Sequence, residues 1–175
     1  VLEEGLSRPA DAYQWLARLL VRNPSRSDVL AQVARAAISA DRGEEWVELA
    51  MGLVEDLAEP AVEAEFRRSI ARVCTAALGQ RQEAAEQYAR IMALGLESSD
   101  DLVALRAIHQ SGGEWEKLLE VCERQLSMTT DVAEEARLLA EIGRLHADVL
   151  DDPTQAHRVF RQLRELNPED IDALH

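Results

Sequence analysis

The sequence predicts an all-α fold in which antiparallel helical hairpins stack into a solenoid of about nine or ten helices. Three observations carry this prediction. The chain of 175 residues repeats itself with a period of 72 residues, helix breakers cut each period into four segments, and apolar residues recur at helical spacing within those segments. No stretch alternates convincingly between apolar and polar residues with the period of two that a half-buried strand shows, so we expect no sheet.

The repeat is clearest between SRPADAYQWLARLLVRNP at 7–24 and DDPTQAHRVFRQLRELNP at 151–168. With a shift of 144, eight of the first 31 residues are identical, where chance would give about two. In the middle of the period the shift falls to 69, which aligns Trp46 with Trp115. Length changes that lie in turns and cancel are typical of stacked arrays. We expect a single solenoid over residues 1–175, with repeat period A at 9–80, repeat period B at 81–152 and a partial third period at 153–175.

Helix breakers and capping residues set the boundaries of each helix. Asp152 and Asn167 can cap helices with their side-chain oxygens. Each also precedes a proline, which is tolerated at the first helical position. Asp131 and Glu134 have the spacing of a capping box. The resulting helices are, in chain order, 9–22, 26–40, 44–58, 60–78, 81–94, 99–110, 114–127, 132–150, 153–166 and 169–175.

The composition excludes several classes of partner. The formal net charge of −14 argues against binding to nucleic acid or to anionic membranes, since both require a dense positive surface. No apolar run approaches the roughly 18 residues of a membrane span, and no signal peptide is recognisable, so we expect a cytoplasmic chain. Lys117 is the only lysine among 19 basic residues, which is typical of a GC-rich bacterial genome.

The sequence does not contain the elements of an active site or a metal centre. It contains no H-E-x-x-H, no cysteine pair at zinc spacing, no calcium loop and no G-x-S-x-G elbow. Cys74 and Cys122 each lie within an apolar helical pattern and are expected to be buried, reduced thiols. His109 and His146 stand at packing positions of their helices. We therefore predict no enzyme, no cofactor and no metal.

Residues 136–168 resemble a tetratricopeptide repeat. Four residues of the first half occupy the Trp, Leu, Gly and Tyr positions of that motif: Leu139, Ile142, Gly143 and His146. Four residues of the second half are similar to its Ala, Phe, Ala and Pro, about one residue late: Ala156, Phe160, Leu163 and Pro168. The units at 26–58, 64–96 and 99–127 match more loosely, so the resemblance covers nearly the whole chain. It implies a right-handed α-α superhelix whose concave groove faces other proteins, as in large bacterial repeat proteins.

The resemblance also implies which side chains line the groove. Carried over position by position, they are Arg35, Arg68, Arg72, Arg137 and Arg144, with Gln32, Gln110 and Glu141. A row of arginines on an acidic chain suits the bidentate binding of peptide carboxylates. The alternative is pairing within a helix, because Glu65 precedes Arg68 by three residues and Glu141 precedes Arg144 by three. The lysine and asparagine clamp known in this family is not reproduced, so binding to chaperone tails is not expected.

The three tryptophans have different positions in the repeat. Trp46 and Trp115 are repeat-equivalent, and each opens the second helix of a hairpin, so we expect both to pack across their turns. Trp15 aligns with Gln87 and Val159. It is either a packing residue or an exposed anchor for a partner.

These patterns predict a scaffold for protein–protein interaction that binds a partner protein or peptide on its concave face. The alternative is a structural or regulatory segment of a larger protein that packs only on its own neighbouring domains. The phase of the repeat further predicts that Val1 lies in the last turns of one helix and that His175 stops inside another. Array interfaces exposed at the two ends would then be able to drive self-association.

Overall fold

The computed structural model describes residues 8–166, which fold into nine α-helices and contain no β-strand. The helices are α1 (Pro9–Arg22), α2 (Ser27–Ser39), α3 (Gly43–Glu55), α4 (Pro60–Val73), α5 (Arg81–Ala93), α6 (Ser99–Gly112), α7 (Trp115–Met128), α8 (Val132–Arg144) and α9 (Pro153–Leu166). Two of them, α4 and α8, continue into single π-helical turns, Cys74–Leu78 and Leu145–Val149. The predicted all-α helical-repeat class is confirmed, and the predicted helix at 169–175 lies outside the described residues.

Local sequence accounts for the helix starts. A proline stands at the first helical position of α1, α4 and α9, where its missing N–H leaves no unsatisfied donor. Asp152 caps α9 by accepting a hydrogen bond from the Gln155 amide at 3.1 Å. Asp131 caps α8 by accepting from the amides of Ala133 and Glu134 at 2.8 and 3.0 Å. The reciprocal half of the predicted capping box is wrong, because the carboxylate of Glu134 binds an arginine instead.

The described helices fall into two compact units that divide between Ser98 and Ser99. Unit 1 contains α1 to α5. Within it α1 packs on α2, α2 packs on α3 and α4, and α4 packs on α5. Trp46 stacks on Phe66 with 6.3 Å between ring centroids. The large side chains buried most completely in this unit include Leu20, Val33, Trp46, Phe66, Ile70, Val73 and Ile91.

Unit 2 contains α6 to α9. Here α6 packs on α7, α7 packs on α8, and α8 packs on α9. Residues from α7, α8 with its π-helical turn, and α9 form one apolar cluster, Leu118, Cys122, Leu139, Ile142, Leu145 and Val159. Consecutive helices joined by short turns therefore bury their apolar faces on one another, as the repeat pattern predicts.

Candidate protein-binding surface

The predicted groove residues are distributed over four helices. The set is Arg35 on α2, Arg68 and Arg72 on α4, Gln110 on α6, and Arg137 and Arg144 on α8. The first three residues belong to unit 1 and the other three to unit 2. Each unit therefore carries its own set of candidate binding residues.

Two of these arginines bind acceptors of their own chain. Arg68 lies 2.8 Å from a carboxylate oxygen of Glu65 and donates to the carbonyl of Leu96 at 2.5 Å. Arg137 holds Glu134 with two parallel contacts of 2.8 and 2.5 Å. This fork lowers the pKa of Glu134 and raises the pKa of Arg137. The expected pairing of Arg68 with Glu65 thus occurs, and both guanidinium groups support local structure.

The other three arginines are exposed and make no such contact. The guanidinium groups of Arg35, Arg72 and Arg144 form no hydrogen bond or ion pair with another residue between 8 and 166. The expected pair between Arg144 and Glu141 does not form, because Glu141 faces Arg106 at 3.6 Å. Within the described chain, these three guanidinium groups are the members of the predicted arginine row that are available to an external carboxylate.

Two half-buried arginines form polar links that the sequence did not predict. Arg67 on α4 binds Glu63 at 2.8 Å and donates to the side-chain oxygen of Gln87 on α5 at 2.9 Å. Arg106 on α6 donates to Gln125 on α7 at 3.2 Å. Both arginines stand at motif positions that tetratricopeptide repeats fill with Trp or Gly. The sequence signal for these links is a long charged residue at such a position, because a half-buried guanidinium group needs an acceptor on the facing helix.

The two histidines predicted to pack, His109 and His146, are buried and half-buried. His109 is buried, and its Nδ1 lies 2.7 Å from Glu114. The second carboxylate oxygen of Glu114 lies 2.8 Å from Lys117 Nζ. The hydrogen bond from Lys117, and then that to His109, lowers the pKa of Glu114. His146 is half-buried at the end of α8. The contacts of Glu114 with His109 and Lys117 link α6 to α7 across their turn.

Both cysteines are buried free thiols, as predicted. Burial raises the pKa of Cys74 to about 11 and that of Cys122 to about 12, and the nearby carboxylates Glu83 and Glu141 add to the effect. Among residues 8–166, no three His, Cys, Asp or Glu side chains are grouped to hold a metal ion. The thiols therefore pack in the cores of their units as small apolar groups.

We expect neither thiol to react with Ellman's reagent at pH 8 in the folded chain, and both to react in denaturant, because the nucleophile is the thiolate.

The raised pKa values of the two thiols also make the stability of the chain depend on pH in the alkaline range. The unfolded thiols ionise near their ordinary pKa of 9.0, below the folded values of about 11 and about 12. The unfolded state then holds fewer protons, so the free energy of unfolding should fall as the pH rises from 9 to 11. Titration of urea midpoints over this range checks the sign, with a Cys74→Ala/Cys122→Ala chain, which should lose this dependence, as control.

Trp15 is exposed over 61% of its surface. It lines a shallow hollow on α1 of about 250 Å³ together with Arg18, Leu19 and Arg22. Trp46 and Trp115, by contrast, pack inside their units as predicted, Trp46 fully buried and Trp115 partly buried. Of the three tryptophans, Trp15 is the one whose ring is largely exposed.

The architecture defines a helical-repeat protein built from packed helical hairpins. Residues 102–136, which cover most of α6, all of α7 and the start of α8, match the tetratricopeptide repeat family. Repeats of this family generally mediate protein–protein interaction and are typically not enzymes. The predicted resemblance is confirmed, and the matched segment overlaps the unit at 99–127, which resembled the motif more loosely than 136–168 did.

The fold is also similar to a solved structure. The crystal structure of BtubC (BKLC) from P. vanneervenii aligns with a TM-score of 0.56 and 16% identity, over 94% of this chain and 74% of that chain. At this identity the similarity concerns the fold alone. No curated protein sequence matches the chain. Of the helices between residues 8 and 166, none is both long enough and apolar enough to cross a membrane.

Proposed function

We propose that the chain is a protein-interaction scaffold that binds an acidic segment of a partner protein through Arg35 and Arg72 in unit 1. One observation carries the proposal: both guanidinium groups are exposed and have no acceptor within the described residues. Arginine favours carboxylates because its planar fork donates two parallel hydrogen bonds.

The positions of the two arginines support a common role. Arg35 follows the buried Val33 by two residues, and Arg72 follows the buried Ile70 by two. Their helices, α2 and α4, pack directly against each other. In unit 2, Arg144 follows the buried Ile142 in the same way. This shared placement supports a common role for the arginines at these positions of the repeat.

The remaining candidates have secondary parts in the proposal. Arg68 and Arg137 would have to exchange an internal carboxylate for one of the partner, and Gln110 is an exposed amide on α6. Because exchanging one ion pair for another gains little at a surface, we assign the main contribution in unit 1 to Arg35 and Arg72.

An array of peptides rich in Asp and Glu, each printed beside its Asn and Gln counterpart, tests the proposal. The chain should bind the acidic members in preference, and Arg35→Glu/Arg72→Glu should weaken this binding at least tenfold, because carboxylates would then face carboxylates. Raising the salt from about 0.1 M to about 0.5 M should weaken the native interaction as well, since exposed charges are screened.

Arg81→Glu provides a matched control, because Arg81 is an exposed arginine of the same unit on a different helix. Like each substitution of the double variant, it replaces a positive charge by a negative one. It should leave the affinity for the acidic peptides within about twofold of the native value. Circular dichroism should show unchanged helicity for all variants, since exposed substitutions alter stability by only about 0.5 kcal/mol. Equal binding by the native and the double-variant chains would refute the role of the arginines. An absence of binding to every peptide would favour a segment that packs only on its own neighbouring domains.

A further inference from the structure

A second surface, on α1, has a different chemistry. Trp15, Arg18, Leu19 and Arg22 recur at intervals of three and four along α1 and line one shallow hollow. This Trp15 face combines an indole ring exposed over 61% of its surface with two guanidinium groups. The guanidinium groups of Arg18 and Arg22 make no hydrogen bond or ion pair with another residue between 8 and 166. An apolar strip flanked by unpaired cations is thus exposed on a helix of unit 1.

The same face of α5 shows how the repeat uses these positions. With the shift of 72 residues, Trp15, Arg18 and Leu19 align with Gln87, Arg90 and Ile91. Gln87 and Ile91 are buried, and α4 packs along α5. Gln87 accepts a hydrogen bond from an arginine of α4 at 2.9 Å, and Arg90 lies 3.7 Å from the carboxylate of Glu63 on α4. In this hairpin the preceding helix covers the face and places the carboxylate of Glu63 near Arg90.

The third copy, on α9, shows the same arrangement. With the shift of 144 residues, the Trp15 face aligns with Val159, Gln162, Leu163 and Leu166. Val159 is buried in the cluster with side chains of α8, and Leu163 and Leu166 pack against that cluster. Glu135 of α8 lines one hollow with Gln162 and Leu166. A carboxylate of the covering helix therefore lines the same hollow as the residue equivalent to Arg18.

Glu63 and Glu135 are themselves 72 residues apart, so the acidic residue recurs at the same place of the covering helix. We infer that the Trp15 face is a docking site for an amphipathic helix of a partner polypeptide that carries a carboxylate at this place. The helix lies antiparallel to α1, as α4 lies on α5 and α8 on α9. Its apolar side chains cover Trp15 and Leu19, and a carboxylate at the position of Glu63 and Glu135 pairs with Arg18. The inference stands apart from the role of Arg35 and Arg72.

A peptide with the sequence of residues 131–150, DVAEEARLLAEIGRLHADVL, is a suitable probe because it carries Glu135 and the apolar stripe of α8. Labelled with fluorescein, it should bind the full chain in an anisotropy titration. Trp15→Ser should weaken the binding about 30-fold, which is the effect of removing a central tryptophan anchor. Arg18→Glu should weaken it about tenfold through like-charge repulsion. Both residues are exposed, so neither variant should lose helicity.

A charge exchange separates direct contact from general effects. A peptide with Glu135→Lys should bind the native chain more weakly and should regain affinity for the Arg18→Glu chain. Arg81→Glu, which changes an exposed arginine on α5, should leave peptide binding unchanged. Because the readout does not involve Arg35 or Arg72, the Arg35→Glu/Arg72→Glu chain should bind this peptide normally, even if the acidic peptide array fails.

Three results would overturn the inference. Equal binding by the Trp15→Ser and native chains would place the peptide elsewhere. Sedimentation of the chain as a dimer that Trp15→Ser dissociates would assign the face to a second copy. Binding that arises only after removal of residues 1–7 would assign it to that segment of the chain.

Discussion

Replacement of Trp46 by alanine is expected to lower the free energy of unfolding of unit 1 by about 3–5 kcal/mol. The indole has 0% of its surface exposed, and it stacks on Phe66 at an interplanar angle of 26°. Its removal leaves a cavity that rigid helices fill only in part. Since domains are typically stable by about 5–15 kcal/mol, this loss is a large share of the total. Urea denaturation followed by circular dichroism should show a lower midpoint with an unchanged slope.

The other two tryptophans provide matched controls for this prediction. Trp115→Ala should cost about 1–2 kcal/mol, because the ring is partly exposed and less area returns to water. Trp15→Ala should change stability by about 0.5 kcal/mol or less, since Trp15 is exposed over 61% of its surface and surface changes are usually small. A loss at Trp15 as large as that at Trp46 would contradict the core assignment of Trp46.

The tryptophans also show how far the sequence predicts the fold. The repeat correctly placed Trp46 and Trp115 at the start of equivalent helices, because period and turn signals are local. It did not predict that Trp46 is fully buried while Trp115 stays partly exposed. That difference depends on neighbouring helices. The turn of α3 before Trp46 lies so close to α4 that a Cβ on Gly43 would come within 3.0 Å of Leu78 and 3.3 Å of Val73.

Ion pairs show the same limit for the candidate binding surface. The spacing rule correctly paired Arg68 with Glu65, three residues earlier on the same helix. It failed for Arg144, because Glu141 turns toward Arg106 on another helix. A pairing rule along one helix cannot weigh an acceptor whose distance is set by tertiary packing. The arginines available to a partner therefore became identifiable only once the cross-helix contacts were known.

The sequence pattern did not predict the π-helical turns either. The predicted helices 60–78 and 132–150 end close to where the structure ends them, at Leu78 and Val149. The last turn of each is wider than α-helical, with the amide of Leu150 bonded to the carbonyl of Leu145 at 2.9 Å. Hydrophobic periodicity over so few residues does not distinguish four-residue from five-residue hydrogen bonding. The wider turn occurs in both repeat-equivalent helices, α4 and α8.

Gly143→Val should lower the free energy of unfolding of unit 2 by about 3 kcal/mol, at the upper end of the usual cost of overpacking. Gly143 is buried on α8 where α9 approaches it, and a Cβ there would lie 2.6 Å from Cε1 and 2.8 Å from Cζ of Phe160. Valine adds two further methyl groups at this place. Urea denaturation of the two chains measures the loss.

Gly52→Val is the matched control, since a Cβ at Gly52 on α3 would meet nothing within 4 Å. Its effect should stay within about 0.5 kcal/mol, as for other exposed substitutions. In a Phe160→Ala background, Gly143→Val should cost much less than in the native chain, because the clashing ring is gone. Such coupling between the two sites is the signature of direct contact. Equal costs in both backgrounds would mean that the glycine is needed for its backbone, not for the approach of α9.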